Sequence, residues 1–306
     1  MNNETTGVSF TSASSLLREA FVFYFSHWKL LMGISLIPAL LYLFQFFLSG
    51  KPIVFIIIFG IMASILALFC RLAFFDAVIE NGEPEGGFGG AFKKGLGLFF
   101  PFFWISVLTG LAIFGGFYLL IIPGLLLAIR LSFSVYALLV EGHHGTAALA
   151  TSWSYTKGRW WGLFWRFLFL GILVLLVSLL LGFVTGGMRS VAFQAISVLL
   201  NNLLFLPISF IYSYLIYRSL QTLKPPETVA EDREKLKKPV VAFAVIGLVG
   251  TVAFFVFHGA AIYKFLNYAK QLSAPPSATT ESSTSPSPYD FSLPASNAPD
   301  PVPATR

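Results

Sequence analysis

The sequence predicts an all-α fold: a polytopic transmembrane helical bundle of six core spans arranged as three hairpins with cytoplasmic interfacial arms, plus a seventh span. Three observations predict it. Hydrophobic residues make up 56% of the 306-residue chain and charged residues only 11%, against soluble averages of roughly 45 to 50% and 25%. Mean hydropathy is +0.78. The apolar residues also gather into runs of roughly 20, the length that crosses about 30 Å of hydrocarbon at about 1.5 Å per helical residue.

Residues 1–29 read as a cytoplasmic amphipathic arm. Leu17, Ala20, Phe21, Tyr24 and Trp28 recur at steps of three and four, which places them on one helical face suited to the membrane surface. The arm lacks a basic leader running straight into a short apolar core, so the first span is expected to be retained. That span, Leu30 to Leu48, turns at Ser49-Gly50-Lys51-Pro52 into the second, Ile53 to Phe75. A polar, glycine-rich segment from Glu80 to Gly97 precedes the third, Leu98 to Ile122. Pro123-Gly124 then forms a tight turn into the fourth, Gly124 to Val140, with Pro123 tolerated because a first-turn N–H has no helical partner anyway.

A second arm, a short helix over Gly145 to Lys157, leads into the fifth span, Gly162 to Val184. Gly186-Gly187-Met188-Arg189 separates this from the sixth, Val191 to Tyr217. Residues 30–223 thus make the six-helix core. A charged cytoplasmic linker at 224–239 follows, then the seventh span at 240–263, and finally a Pro/Ser-rich tail at 264–306, too poor in apolar residues to bury a core and expected to be disordered. Trp28, Trp153, Trp160 and Trp161 fall where interfacial anchors are expected.

The two arms align without gaps: Leu17, Ala20, Phe21, Phe23, His27 and Trp28 on Leu149, Ser152, Trp153, Tyr155, Arg159 and Trp160. A fainter echo at Ala91-Phe92-Lys93-Lys94-Gly95 suggests three units of arm plus hairpin, and internal repeats build many membrane folds.

Basic residues set the orientation, because positively charged loops stay cytoplasmic. Of the 20 Lys and Arg, Lys51, Arg189, Lys264, Lys270 and Arg306 fall on one side and Arg130 within the membrane. The other fourteen, Arg71 at a helix end among them, fall on the side of the N-terminus. The N-terminus is therefore expected in the cytoplasm, and the tail outside if the seventh segment crosses. The net charge of +6 is spread through short loops rather than over a basic, aromatic-interleaved face, so membrane lipids and not nucleic acid are the expected partners.

Polar residues inside spans are where chemistry is sought. Arg130 costs roughly 2.5 to 3.5 kcal/mol at a helix centre on insertion scales, so it needs a partner or a polar cavity. Asn201 and Asn202 interrupt the sixth span and could approach it from another helix, and Pro207 frees a carbonyl one turn earlier. Arg130, Asn201 and Asn202 are the candidate polar intramembrane site. No catalytic or metal-binding residue is assigned and no cofactor expected. His143-His144 lack convergent ligands. Gly86-Gly87-Phe88-Gly89-Gly90 lacks the Lys-Ser/Thr of a phosphate loop, and the single Cys70 cannot form an intrachain disulfide.

The run Ile122-Pro123-Gly124, Arg130, Phe133, Tyr136, Glu141, Ala147-Ala148-Leu149, Ser152, Lys157-Gly158 and Trp160-Trp161 resembles the glycerophosphoryl diester phosphodiesterase membrane-domain family. The resemblance covers Ser9 to Leu223. It implies a multi-helix domain of the bacterial cytoplasmic membrane. Some members precede a soluble phosphodiesterase barrel of roughly 250 residues, which has no counterpart in this chain, so the resemblance implies no esterase. The expected function is a noncatalytic membrane scaffold, anchor or envelope-associated helper. The alternative is a transporter or lipid-handling protein, which requires Arg130, Asn201 or Asn202 to line an amphipathic cavity open to a face or to lipid.

Overall fold

The computed structural model describes residues 12–46, 48, 51–185, 187 and 190–273. Among them the regular elements are all helices: α1 (Ala13–Ser26), α2 (Trp28–Phe46), α3 (Ile53–Ile79), α4 (Gly87–Leu119), α5 (Ile121–Leu131), α6 (Ser134–Glu141), α7 (Thr146–Thr156), α8 (Trp160–Val184), α9 (Val191–Leu200), a π-helical turn (Asn201–Phe205), α10 (Leu206–Leu223) and α11 (Pro226–Ser273). The chain forms two units, Met1–Phe255 and Val256–Arg306, and every contact and site described below lies in the first. Seven segments are long and apolar enough to cross a bilayer, with α5 and α6 together making the fourth and α9 to α10 the sixth. The protein is a multi-pass integral membrane protein. Its outer faces explain why the spans read as apolar all round: Ile57, Ile58, Ile61 and Met62 of α3 and Leu175, Leu176 and Leu180 of α8 are exposed, as lipid-facing side chains should be.

The first four spans are joined by specific contacts. Phe44 and Phe59 meet across α2 and α3 with ring centroids 5.4 Å apart. Lys94 on α4 bridges Asp76 at 2.7 Å and Glu80 at 2.8 Å, tying α4 to the end of α3. α4 and α5 touch through glycines, since a Cβ on Gly116 would lie 2.9 Å from the Gly124 Cα. α11 crosses α4 as closely: a Cβ on Gly247 would lie 1.8 Å from the Leu111 carbonyl oxygen, and one on Gly115 2.0 Å from that of Phe243. Without a hydrophobic drive between helices in lipid, such close approach supplies the packing.

Several expected boundaries shift. The third span begins not at Leu98 but at Gly87, because the chain turns early, through Asn81 (φ 54) and Gly82 (φ 85), both left-handed. The third-to-fourth turn pivots on the extended Leu120, not on Pro123-Gly124. Pro123 lies inside the first turn of α5, and Gly124 is there for close packing on α4. The charged segment 224–239 is not a separate linker. It is the start of α11, which opens at Pro226 and carries Glu231–Lys235 and Glu234–Lys237 pairs along its surface, spacings that support a helix. α11 runs to Ser273, past the expected end of the seventh span. The tail expected at 264–306 therefore begins as helix, and residues 274–306, like 1–11, lie outside the described residues.

The two arms also differ from expectation. α1 buries Leu16, Ala20 and Tyr24 and packs on α10, while Trp28 stays 49% exposed. α7 is not an interfacial arm at all. Every residue from 148 to 156 is buried, with α5, α6, α4 and α10 packed around it. Yet the alignment of the arms holds in one respect: α2 opens at Trp28 and α8 at Trp160, the aligned tryptophans. The third echo, at Ala91, sits inside an uninterrupted α4.

Candidate intramembrane site

Arg130 is in the last turn of α5, where its charge complements the carbonyl end of the helix. The expected fourth span, Gly124 to Val140, is in fact broken at Ser132–Phe133, between α5 and α6. A break in the membrane strands carbonyls that must be satisfied internally, and three serines do this. Ser132 donates to the Ile129 carbonyl, Ser134 to that of Leu131 (both 2.8 Å), and Ser152 of α7 to that of Arg130 at 2.7 Å. The Ser152 hydroxyl also accepts the Phe133 N–H at 3.2 Å. One side chain of α7 thus joins both sides of the break.

The Arg130 guanidinium sits 5.0 Å from the centroid of the Trp153 ring, and its Nε has no hydrogen-bond partner among the described residues. Trp153, only 8% exposed, is not the expected interfacial anchor. It lies under the arginine and against Phe243 of α11, where a desolvated cation–π contact is worth about 2 kcal/mol or more. Trp161 is 60% exposed and stacks with Trp160 and Phe164.

Glu141, at the far end of α6, organises a second cluster. Its Oε1 accepts Tyr217 at 2.6 Å, Gln221 at 2.8 Å and Tyr155 at 2.9 Å, while Oε2 faces His143 Nε2 at 3.4 Å. Arg233 of α11 donates to the same His143 nitrogen at 2.6 Å, so that nitrogen acts as the acceptor of a neutral ring. Burial, with the Arg233 guanidinium beside it, holds the His143 imidazole below its usual range. Burial and the bond to Glu141 push the Tyr155 phenol up. Lys224 completes the lock, donating to the Ser154 carbonyl and hydroxyl at 2.8 Å and to Asp232 of α11 at 2.7 Å, which also takes Lys157 at 2.9 Å.

Asn201 and Asn202 lie elsewhere, in the π-helical turn. Asn202 is buried and donates to the Val198 carbonyl of its own helix at 2.9 Å. Five residues after Asn202, Pro207 offers no N–H to the Leu203 carbonyl, the partner a regular helix would give it. The Tyr24 hydroxyl of α1 donates to that carbonyl instead. The widened turn borders a cavity of about 690 Å³ lined by Tyr42, Gln45, Arg71, Ser197, Val198, Asn201, Asn202 and Leu206, within the size range of ligand pockets.

The expected trio is therefore divided. The two asparagines share a cavity, Arg130 is not part of its lining, and the arginine that faces them is Arg71 of α3. Arg71 was assigned to a cytoplasmic helix end. It lies on α3 about two turns before that helix ends at Ile79, within the apolar segment that is long enough to cross a bilayer. Tyr42, Gln45 and Arg71 were each legible as polar residues within apolar runs, the signal that marks intramembrane function. What no pattern gave was that α2, α3 and α9 bring them together. Among the described residues no three His, Cys, Asp or Glu side chains converge.

Comparison with family models, with curated proteins and with solved structures finds no match to this chain.

Proposed function

We propose that this protein handles lipid without catalysing a reaction, binding an amphiphile in the cavity between α2, α3 and the broken sixth span. The observation that carries this is the lining itself. The side chains of Tyr42, Gln45, Arg71 and Asn201 border an opening within the bundle and have no hydrogen bond or ion pair among the described residues. Unpaired polar groups in hydrocarbon each cost free energy. A scaffold needs no such opening, whereas an amphiphile-binding protein needs both the polar groups and the apolar walls that Val198 and Leu206 supply. Arg130 has no part in the binding. It is spent on Trp153 and on joining α5 to α7.

The proposal includes the setting. With Arg71 counted to the cavity, the 13-to-5 bias of the remaining basic residues supports a bacterial cytoplasmic membrane with the N-terminus in the cytoplasm, and the run at 121–161 supports membership of the glycerophosphoryl diester phosphodiesterase membrane-domain family. In this orientation the cavity runs from the outer end of α2, at Tyr42 and Gln45, inward to Arg71 in the cytoplasmic half of α3 and to the middle of the sixth span. A lipid carrying a photoreactive group, cross-linked to the protein in membranes and mapped by peptide mass spectrometry, should label α2, α3 and α9 around Gln45, Arg71 and Asn201. Labelling spread evenly over the outward faces of α3 and α8 would reject the reading.

A further inference from the structure

We infer that the headgroup taken by this cavity is an oxyanion, so that the ligand is a lipid of net negative charge; this rests on the lipid-handling reading above. Among the described residues Arg71 is the one charged side chain in the lining. The nearest acid along its own helix, Asp76, is buried and already taken by Lys94 at 2.7 Å. An arginine set within an apolar span, with no counter-ion among the described residues, is matched to an anionic ligand. Arg130 shows how this fold treats an arginine that is only structural: it is laid over an indole ring, 5.0 Å from its centroid. Arg71 has no such cover.

The neutral groups around it agree. Tyr42 brings a hydroxyl, and Gln45 and Asn201 bring amide donors. The guanidinium fork matches a phosphate or carboxylate with two parallel N–H···O bonds. The hydroxyl of Ser197 has no partner among the described residues either. None of the described lining residues is acidic, and a positively charged group such as choline would find no carboxylate among them. The cavity is also deep. Gln45 is level with Gly60 across the hairpin, and at about 1.5 Å per residue Arg71 lies about 16 Å farther along α3. A headgroup seated at Arg71 would leave its chains among Val198, Leu206 and the neighbouring membrane.

The test is retention of defined lipids by the full-length protein in mild detergent, read by native mass spectrometry. Phosphatidylglycerol and phosphatidylcholine of identical acyl chains are compared, with glycerol phosphate as a water-soluble competitor. Wild type should retain phosphatidylglycerol at least about 10-fold better than phosphatidylcholine, the tenfold corresponding to about 1.4 kcal/mol. Arg71→Gln should fall to the phosphatidylcholine level, and Arg71→Lys should recover part of the preference, which shows that charge and not misfolding is being read. Leu206→Trp, which fills the cavity, should lose both lipids. Equal retention of the two lipids, abolished by Leu206→Trp, would overturn the anion inference and leave the lipid site standing. Retention untouched by Leu206→Trp would overturn both. Displacement of phosphatidylglycerol by glycerol phosphate at equal concentration would show that the site takes a soluble anion rather than a lipid, and overturn the inference as stated.

Discussion

Arg130 and Arg71 are two arginines in one membrane bundle, and their surroundings are opposite. Arg130 ends α5 beside the fully buried α7, with its carbonyl held by Ser152 and its guanidinium over Trp153. Arg71 lies on α3 facing a cavity, exposed and without a partner among the described residues. The difference teaches that the cost of an intramembrane charge, by itself, does not mark function. What marks it is whether the protein supplies the compensation. Around Arg130 α7 does, through Ser152 and Trp153. Around Arg71 none of the described residues does, and the proposed ligand would take that role.

This contrast makes an ordered set of predictions. Trp153→Ala removes the ring beneath Arg130 and leaves a hole against Phe243, and should cost about 3–5 kcal/mol, seen as a large drop in melting temperature in detergent. A smaller loss, about 2–3 kcal/mol, is expected from Glu141→Leu, which strands the Tyr155, Tyr217 and Gln221 donors in a half-buried place. The same melting assay reads it, and a neutral result would remove the Glu141 cluster from the structural side of the comparison.

Acidification should loosen the same region more gently. His143 is held neutral below its usual value, so its contribution to stability is complete above the unfolded value of about 6.5 and is lost as pH falls through the folded one. Protonation would set its charge against Arg233 and His144, with Glu141 opposing. Melting temperatures near pH 8 and near pH 5.5 should therefore differ in the wild type by more than in His143→Gln. The smallest effect on stability belongs to Arg71→Gln, expected within about 0.5 kcal/mol of wild type because no hydrogen bond or ion pair among the described residues is lost. If Arg71→Gln destabilised the protein as much as Trp153→Ala, the two arginines would be alike and the comparison would break.

Much of the fold could be read from the chain. Seven apolar runs appear as seven spans, and Trp28 and Trp160 mark helix starts as the arm alignment implied. The break in the fourth span had a signal too. Ser132 and Ser134 flank Phe133 in an apolar run, and serines that return hydroxyls to carbonyls are what a membrane break requires. α7 was misread for a plain reason. Its small and hydroxylated residues, from Ala147 to Thr156, look like a surface helix, yet small side chains are also what lets other helices surround it. The asparagines were found and half correctly grouped, whereas Arg71 was set aside because it lay near the end of an apolar run.

The sequence by itself determined the solvent, the number of spans and the fact that polar groups lie inside them, because hydrocarbon thickness and the need to pair every backbone group leave few alternatives. Tertiary structure alone decided which polar groups meet. Helix packing in lipid is settled by local contacts such as Gly116 on Gly124 and Gly247 on Leu111, and these fix how each helix is rotated. Those rotations put Trp153 under Arg130 and left Arg71 facing Asn201 across open space.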